Sequence, residues 1–324
     1  MKKWLEKQFQ LSSYGTNVKT ELLAGLTTFV TMAYVLATVP SLLGNAGLDR
    51  NVMFTAMILL IILTTCAMAF YTNRPFALAP GLVPGGMIFA ILITTVIGIP
   101  FGVTELPSSP FSLPAGIGSQ FMNIDFIGAL DFAYIPFLIA LFIPDFFSTF
   151  GTVLGVGAKA GYLDEDGNLP GIDKCFKVDA IATSFGALFG MPSMTTYLES
   201  SAGVEAGGKT GLTVIFTSIF FALSLFLSPL ALIIPSAATG PILIFIGINM
   251  LSSMSKIHYE DLTEAVPAFI CIAFTIFANN IANGICAAIP AYFIMKIAAG
   301  KVKELSPVMY IMVAVCLLYF YTLI

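Results

Sequence analysis

The sequence predicts an all-α polytopic membrane protein of about ten or eleven transmembrane helices, two of them broken. Three observations carry this. Of 324 residues, 58% are apolar and only 10% charged, with a mean hydropathy of +0.95. Stretches of about twenty apolar residues, the length a bilayer core demands of a helix, recur along the whole chain. When those stretches are alternated across a membrane, the lysines and arginines gather on one side. Fourteen basic and eighteen acidic side chains are too few to clothe a 34.5 kDa globule in water, whereas a bundle facing lipid needs no such clothing.

Taken in order, the predicted spans are 21–44, 53–71, 79–103, 134–156, 178–191, 194–208, 210–229, 236–252, 262–278, 280–298 and 307–324. The third opens on Ala79-Pro80-Gly81-Leu82-Val83-Pro84-Gly85-Gly86, which interrupts it. The fourth carries Asp145 inside FLIALFIPDFFSTFGTVLG. The fifth runs into Gly190-Met191-Pro192 and stops; the sixth restarts with Ser193, Thr195 and Thr196 as capping residues, which puts Glu199 in the first turns of a half-helix. Pro235 precedes the eighth. The last run follows a basic loop and is either an eleventh pass or an interfacial segment. Glycines four apart, Gly151/Gly155 and Gly186/Gly190, suggest close helix packing.

With the N-terminus inside, thirteen of the fourteen basic residues are cytoplasmic and only Arg50 is outside. The outer connection, 104–133, holds Glu105, Asp125 and Asp131 and no basic residue; a short surface helix or strand is expected there. The inner one, 157–177, contains Asp164-Glu165-Asp166-Gly167-Asn168. Glycine is fourth rather than sixth and Cys175 twelfth, so this reads as a solvated turn and not a calcium loop.

Several functions are excluded at this stage. A net charge of −4 without a basic stripe argues against nucleic-acid binding, and the first twenty residues show no signal-peptide cleavage pattern. Five scattered cysteines and the single His258 provide neither zinc spacing nor a disulfide framework nor a catalytic pair. No metal and no cofactor is expected, and an enzyme is disfavoured.

The chemistry therefore falls on two acids at membrane depth, Asp145 and Glu199. An ionised acid in hydrocarbon costs at least about 2.5 kcal/mol, so such residues face a cavity, a partner or a substrate. With no intramembrane Lys or Arg to match them, they suit groups that take up and release a proton. Both breaks, 79–86 and 190–199, expose backbone groups that lipid does not tolerate, and paired broken helices point to a transporter site at the midplane.

The strings TELLAGLTTFVTMAYVLATVPSLL, NRPFALAPG, PDFFSTFGTVLGVGAKAGYLDEDGNLPGIDK and above all TTYLESSAGVEAGGKTGLT resemble the azaguanine/hypoxanthine-type purine permeases, a branch of the nucleobase:cation symporters allied to xanthine/uracil permeases. The resemblance covers most of the chain. It implies two inverted repeats of seven helices, a core that binds substrate and a gate that moves against it, and proton-coupled uptake of hypoxanthine, guanine or adenine. By residue, it places Glu199 on the carboxylate that hydrogen-bonds the base and Asp145 on the acid of the helix opening the second repeat. The expected substrate site comprises Glu199, Asp145, Gly85, Ser148, Thr195 and Thr196, and proton coupling is expected of Asp145 and Glu199. A carboxylate suits a purine because it accepts two N–H donors at once.

The departures from the family are specific. Ser148 stands where a second acid is usual, and Gly85 where an Asn follows the first break. A typical member is longer by roughly a hundred residues, and the shortage is internal: GGMIFAILITTVIG runs directly into IPFGVTELP, as though helices four to six were missing. The expected division is 1–103 first-repeat core helices, 104–133 outer loop, 134–229 second-repeat core helices and 230–324 gate-type helices. Expected partners are a purine base, a coupling proton, the lipid of a cell membrane and a second copy supplying the missing wall. The alternative is a purine-binding sensor or partner subunit that does not transport.

Overall fold

The computed structural model describes residues 2–80, 94–104, 106–118, 120–129, 134–234, 257–278 and 281–322. Gly85 lies outside these, as do most of the third predicted span and the eighth. Two compact units divide the chain: residues 1–124 with 147–246, and residues 125–146 with 247–324.

In the first unit, α1 (Lys2–Phe9) precedes α2 (Val18–Met32), α3 (Val35–Asn45) and α4 (Arg50–Thr72). Caps set the boundaries. Asn17 accepts from the amides of Lys19 and Thr20, and Asp49 from those of Asn51 and Val52, each cap worth about 1 kcal/mol. α2 and α3 together form the first span, Val18–Gly44. It is interrupted at Ala33 and Tyr34, just after Thr31 returns its hydroxyl to the carbonyls of Thr27 and Thr28, a back-bond that bends helices.

Asn73, at φ +52°, ends α4 in the left-handed conformation and is followed by strand β1 (Leu78–Pro80). A helical turn lies at 94–98. Helix α5 (Phe126–Ala129), in the second unit, is a short helix without buried residues within the 104–133 connection. The long α6 (Ile135–Lys159) carries the boundary between the units.

Helix α7 (Ile172–Leu188) stops in the first unit on a left-handed Gly190 at φ +69°. The amides of Gly190 and Met191 turn back to the carbonyls of Ala187 and Gly186, and Pro192 forbids continuation. Strand β2 (Met194–Thr196), helix α8 (Ser200–Glu205), helix α9 (Gly211–Ser224), a 3₁₀ turn (Leu225–Leu227) and α10 (Ser228–Leu232) complete it. Its core is apolar and drawn largely from α4, which keeps Met53, Phe54, Met57, Ile58 and Ile61 fully buried. The 157–177 connection contains an exposed turn in which Asp164 folds back on the amides of Asp166 and Asn168.

The second unit holds α11 (Leu262–Phe277), α12 (Ile281–Ala298) and α13 (Pro307–Thr322). A Cβ on Gly284 of α12 would strike the Cys271 carbonyl at 2.5 Å, so α11 and α12 pack in near-backbone contact. Cys286 and Cys316 are buried together between α12 and α13.

Three expectations need correction. The sixth predicted span, 194–208, is a three-residue strand and a six-residue helix. Ser193, Thr195 and Thr196 do not cap a helix, because the β-branched pair takes the extended backbone it favours and joins a ladder. Gly151 and Gly155 do not pack against another described helix: a Cβ on either meets nothing within 4 Å among the described residues.

Candidate functional site

The two breaks meet. β1 and β2 pair antiparallel, with Leu78 opposite Thr196, Ala79 opposite Thr195 and Pro80 opposite Met194. A two-stranded ribbon in a lipid-facing bundle has two edges to satisfy. Each edge is covered by a threonine of the preceding helix. Thr65 of α4 donates to the Leu78 carbonyl at 3.1 Å and accepts from its amide at 3.0 Å. Thr183 of α7 treats Met194 in the same way, at 3.0 and 3.2 Å. Pro80 has no N–H to place, and its carbonyl accepts the Tyr197 hydroxyl at 2.5 Å.

Beyond β2 the chain reaches Glu199, which stands at the N-cap position of α8 rather than inside it, without a side-chain capping bond. The carboxylate is buried, 6% exposed, and its Oε1 accepts the Tyr34 hydroxyl at 3.0 Å. Tyr34 comes from the interruption between α2 and α3, and Tyr197 is its neighbour. Ser200 fixes the half-helix by accepting the Ala77 amide at 3.0 Å, while the Tyr197 amide donates to the Ala77 carbonyl at 2.9 Å.

Alternation along β2 sends Thr195 and Thr196 to opposite faces. Thr195 meets Thr149 at 2.8 Å, and Thr149 donates to Asp179 Oδ1 at 3.1 Å. A hydroxyl has one hydrogen, so Thr195 is the donor to Thr149, and the chain runs Thr195 to Thr149 to Asp179. All three are buried. Thr196 Oγ1 is buried with no hydrogen-bond partner among the described residues.

Of the residues singled out from sequence, Glu199, Thr195 and Thr196 are all buried on the β2–α8 segment, with Glu199 meeting Tyr34 and Thr195 meeting Thr149 on the opposite face from Thr196. Asp145 is half-buried on the part of α6 belonging to the second unit, and Ser148 is exposed on the part belonging to the first. Sequence reasoning missed Tyr34, Thr149 and Asp179. Asp179 reads as a helix-end acid because Lys174 and Lys177 precede it. Thr149 could have been found, since Asp145, Thr149, Thr152 and Val156 share one helical face. Two hollows in the first unit, one lined by Phe111, Leu113, Leu223 and Phe226 and one by Leu63, Val178, Ile181 and Phe185, are not lined by Glu199. No group of three metal-ligating side chains occurs among the described residues.

The sequence pattern of the Permease family, that of the xanthine/uracil permeases, matches residues 82–287. The chain is 28% identical to the adenine permease AdeQ of Escherichia coli, with 93% of each chain covered. It is 28% identical to the guanine/hypoxanthine permease PbuO of Bacillus subtilis, over 92% of this chain and 96% of the relative. The guanine/hypoxanthine permease PbuG of Bacillus subtilis is 34% identical over 74% of this chain and 54% of its own. The alignment with AdeQ runs over 412 positions although this chain has 324 residues, so many positions of the relative have no counterpart here. The chain is shorter than the full-length relatives, 324 residues against about 430.

Proposed function

The chain belongs to the xanthine/uracil permease family, and on that premise we propose that it carries purine nucleobases across a membrane. Its substrates in this reading are adenine, guanine or hypoxanthine, the bases named in its relatives. One observation carries the assignment: Glu199 is a buried carboxylate at the junction of a strand break and a half-helix, held by a phenol from another break. A carboxylate has about four acceptor positions, enough for Tyr34 and the paired N–H groups of a purine edge. Thr196 Oγ1, which has no hydrogen-bond partner among the described residues, supplies a further polar atom suited to a carbonyl or ring nitrogen.

Transport is by alternating access in an inverted-repeat frame. The matched treatment of Leu78 by Thr65 and of Met194 by Thr183 supports two related helix-break-strand halves meeting head to tail. Residues 1–103 and 134–229 supply the core and 230–324 the gate, with 104–133 outside and the N-terminus cytoplasmic. Asp145 and Glu199 carry the coupled proton, and Gly85 and Ser148 complete the substrate site. A second copy of the chain supplies the wall that the shortened first repeat leaves open. Like its relatives, the protein acts as a carrier and not as an enzyme.

Uptake of radiolabelled adenine, guanine and hypoxanthine in cells lacking their own purine permeases tests this, beside thermal-shift binding to the purified protein. Glu199→Gln removes at least one charge-assisted hydrogen bond, about 1.5–3 kcal/mol, so affinity falls roughly 10- to 150-fold while membrane insertion persists. Unchanged uptake in Glu199→Gln refutes the assignment. The shortness relative to AdeQ favours one second reading, a purine-binding sensor or partner subunit; binding without flux identifies it.

A further inference from the structure

Glu21 opens α2, a position that reads from sequence as a solvated helix end, yet it is 0% exposed. Four neutral donors converge on it. Oε1 accepts the Lys209 amide at 3.0 Å; Oε2 accepts the Thr210 hydroxyl at 2.9 Å, the Thr213 amide at 3.0 Å and the Thr213 hydroxyl at 2.5 Å. They come from the loop that joins α8, the half-helix at Glu199, to α9 and from the first turn of α9.

That loop has an unusual spacing. Gly203, four intervening residues, then Gly208-Lys209-Thr210 is the spacing of a phosphate cradle. The context differs: Gly203 lies inside a helix, no strand leads directly into the loop, and the anion received is a side chain of the same protein. The first three amides of α9 are each satisfied by a different element. Gly211 donates to Asn73 of the α4 terminus at 3.0 Å, Leu212 to Thr210 at 3.3 Å, and Thr213 to Glu21.

The first span is thus tied at two points to the segment around Glu199. Glu21, in the first turn of α2, meets the loop after α8 and the start of α9; Tyr34, thirteen residues on and just past the end of α2, meets Glu199 itself. Between them glycines let the backbones touch. A Cβ on Gly25 would stand 2.4 Å from the Thr213 carbonyl, and one on Gly208 2.8 Å from Ala24. A helix so closely interlocked moves as one piece, and its register is fixed where its charge is received.

We propose that Glu21 is a positioning residue of the purine site: by seating the start of α2 in the α8–α9 loop, it sets the register at which Tyr34 meets Glu199. The proposal rests on the purine-site reading given above. It differs from a plain fold staple in requiring the effects of Glu21 to pass through Tyr34.

The test uses the full chain in lipid nanodiscs with two measurements on Glu21→Gln, Tyr34→Phe and the double variant. Amide hydrogen exchange needs no substrate. Glu21→Gln should raise exchange at 209–213 and also at 33–38 and 197–202, whereas Tyr34→Phe should raise it only at the latter two. Radiolabelled adenine, guanine or hypoxanthine is then bound at equilibrium. Each single variant weakens Kd by about tenfold and the double variant by no more than either, since residues acting through one contact are not additive. Exchange confined to 209–213, or single effects that multiply, overturns the proposal. Should Glu21→Gln fail to insert, Thr213→Val, which removes one of the four donors, takes its place in the same cycle. If wild-type protein binds no purine, the exchange pattern still decides the positioning role, and it is the purine reading that has failed.

Discussion

Gly203 lies one helical turn beyond Glu199, and its missing side chain is where α2 touches the half-helix. A Cβ there would stand 2.0 Å from Thr28 Oγ1, 2.9 Å from the Ala24 carbonyl oxygen and 3.4 Å from Thr28 Cβ. The hydroxyl can rotate but the carbonyl cannot, so Gly203→Ala must push α2 away from α8 by several tenths of an ångström. Overpacking of this kind costs about 1–3 kcal/mol, and the backbone clash places it at the upper end. Alanine's better helix propensity returns about 1 kcal/mol, which leaves roughly 2 kcal/mol of net destabilisation. At about 2–4 °C per kcal/mol, the purified protein should melt roughly 4–8 °C lower. Thr28→Ala in the same chain should recover about half of this, since the hydroxyl it removes is buried without a partner among the described residues. Gly151→Ala is the control, because its Cβ meets nothing among the described residues and it should melt at or above wild type. Fluorescence-detected thermal melting of all four proteins in one detergent reads the series. Wild-type melting of Gly203→Ala, or no recovery with Thr28→Ala, refutes the close approach of α2 and α8.

Other perturbations probe the neighbouring chemistry. Thr149→Val leaves the Asp179 carboxylate without its hydroxyl donor and Thr195 without its acceptor; a loss of about 1–3 kcal/mol is expected in thermal melts, and Thr149→Ser should restore most of it. In the second unit, the Lys301 ammonium, with the hydroxyl and amide of Thr263, holds the Asp261 carboxyl well below the usual carboxylate range. A lowered folded-state pKa contributes stability that is full above the unfolded value, about 3.9, and is lost as pH falls toward the folded one. Acid melts of the purified protein should therefore steepen below about pH 4 in wild type and less so in Asp261→Asn; equal pH dependence in the two would remove this role from Asp261.

The ribbon explains why the segment after Gly190 resists reading as a helix. Thr195 and Thr196 look like capping residues because a polar β-branched pair follows a glycine and a proline. The same pair is also a good strand former, and what selects the strand is a partner more than a hundred residues earlier at 78–80, with Thr65 and Thr183 closing the two edges. Neither threonine has a sequence signal for this work.

Composition and span length were enough to point to a polytopic membrane protein, because the cost of burying charge in lipid acts on every residue independently of fold. Glycine and proline likewise announced the break at 190–192, since their backbone limits are local, and Glu199 stood out as an acid in an apolar run. The depth of Glu21 and Asp179 was hidden: each lies near polar residues in the chain, and only packing against Thr213 or Thr149 from a distant helix removes it from water. The bond between Tyr34 and Glu199 was equally hidden, since it spans 165 positions and depends on where two helices touch. Local chemistry is written in the sequence; which carboxylate is enclosed, and by which donors, is decided only when the helices meet.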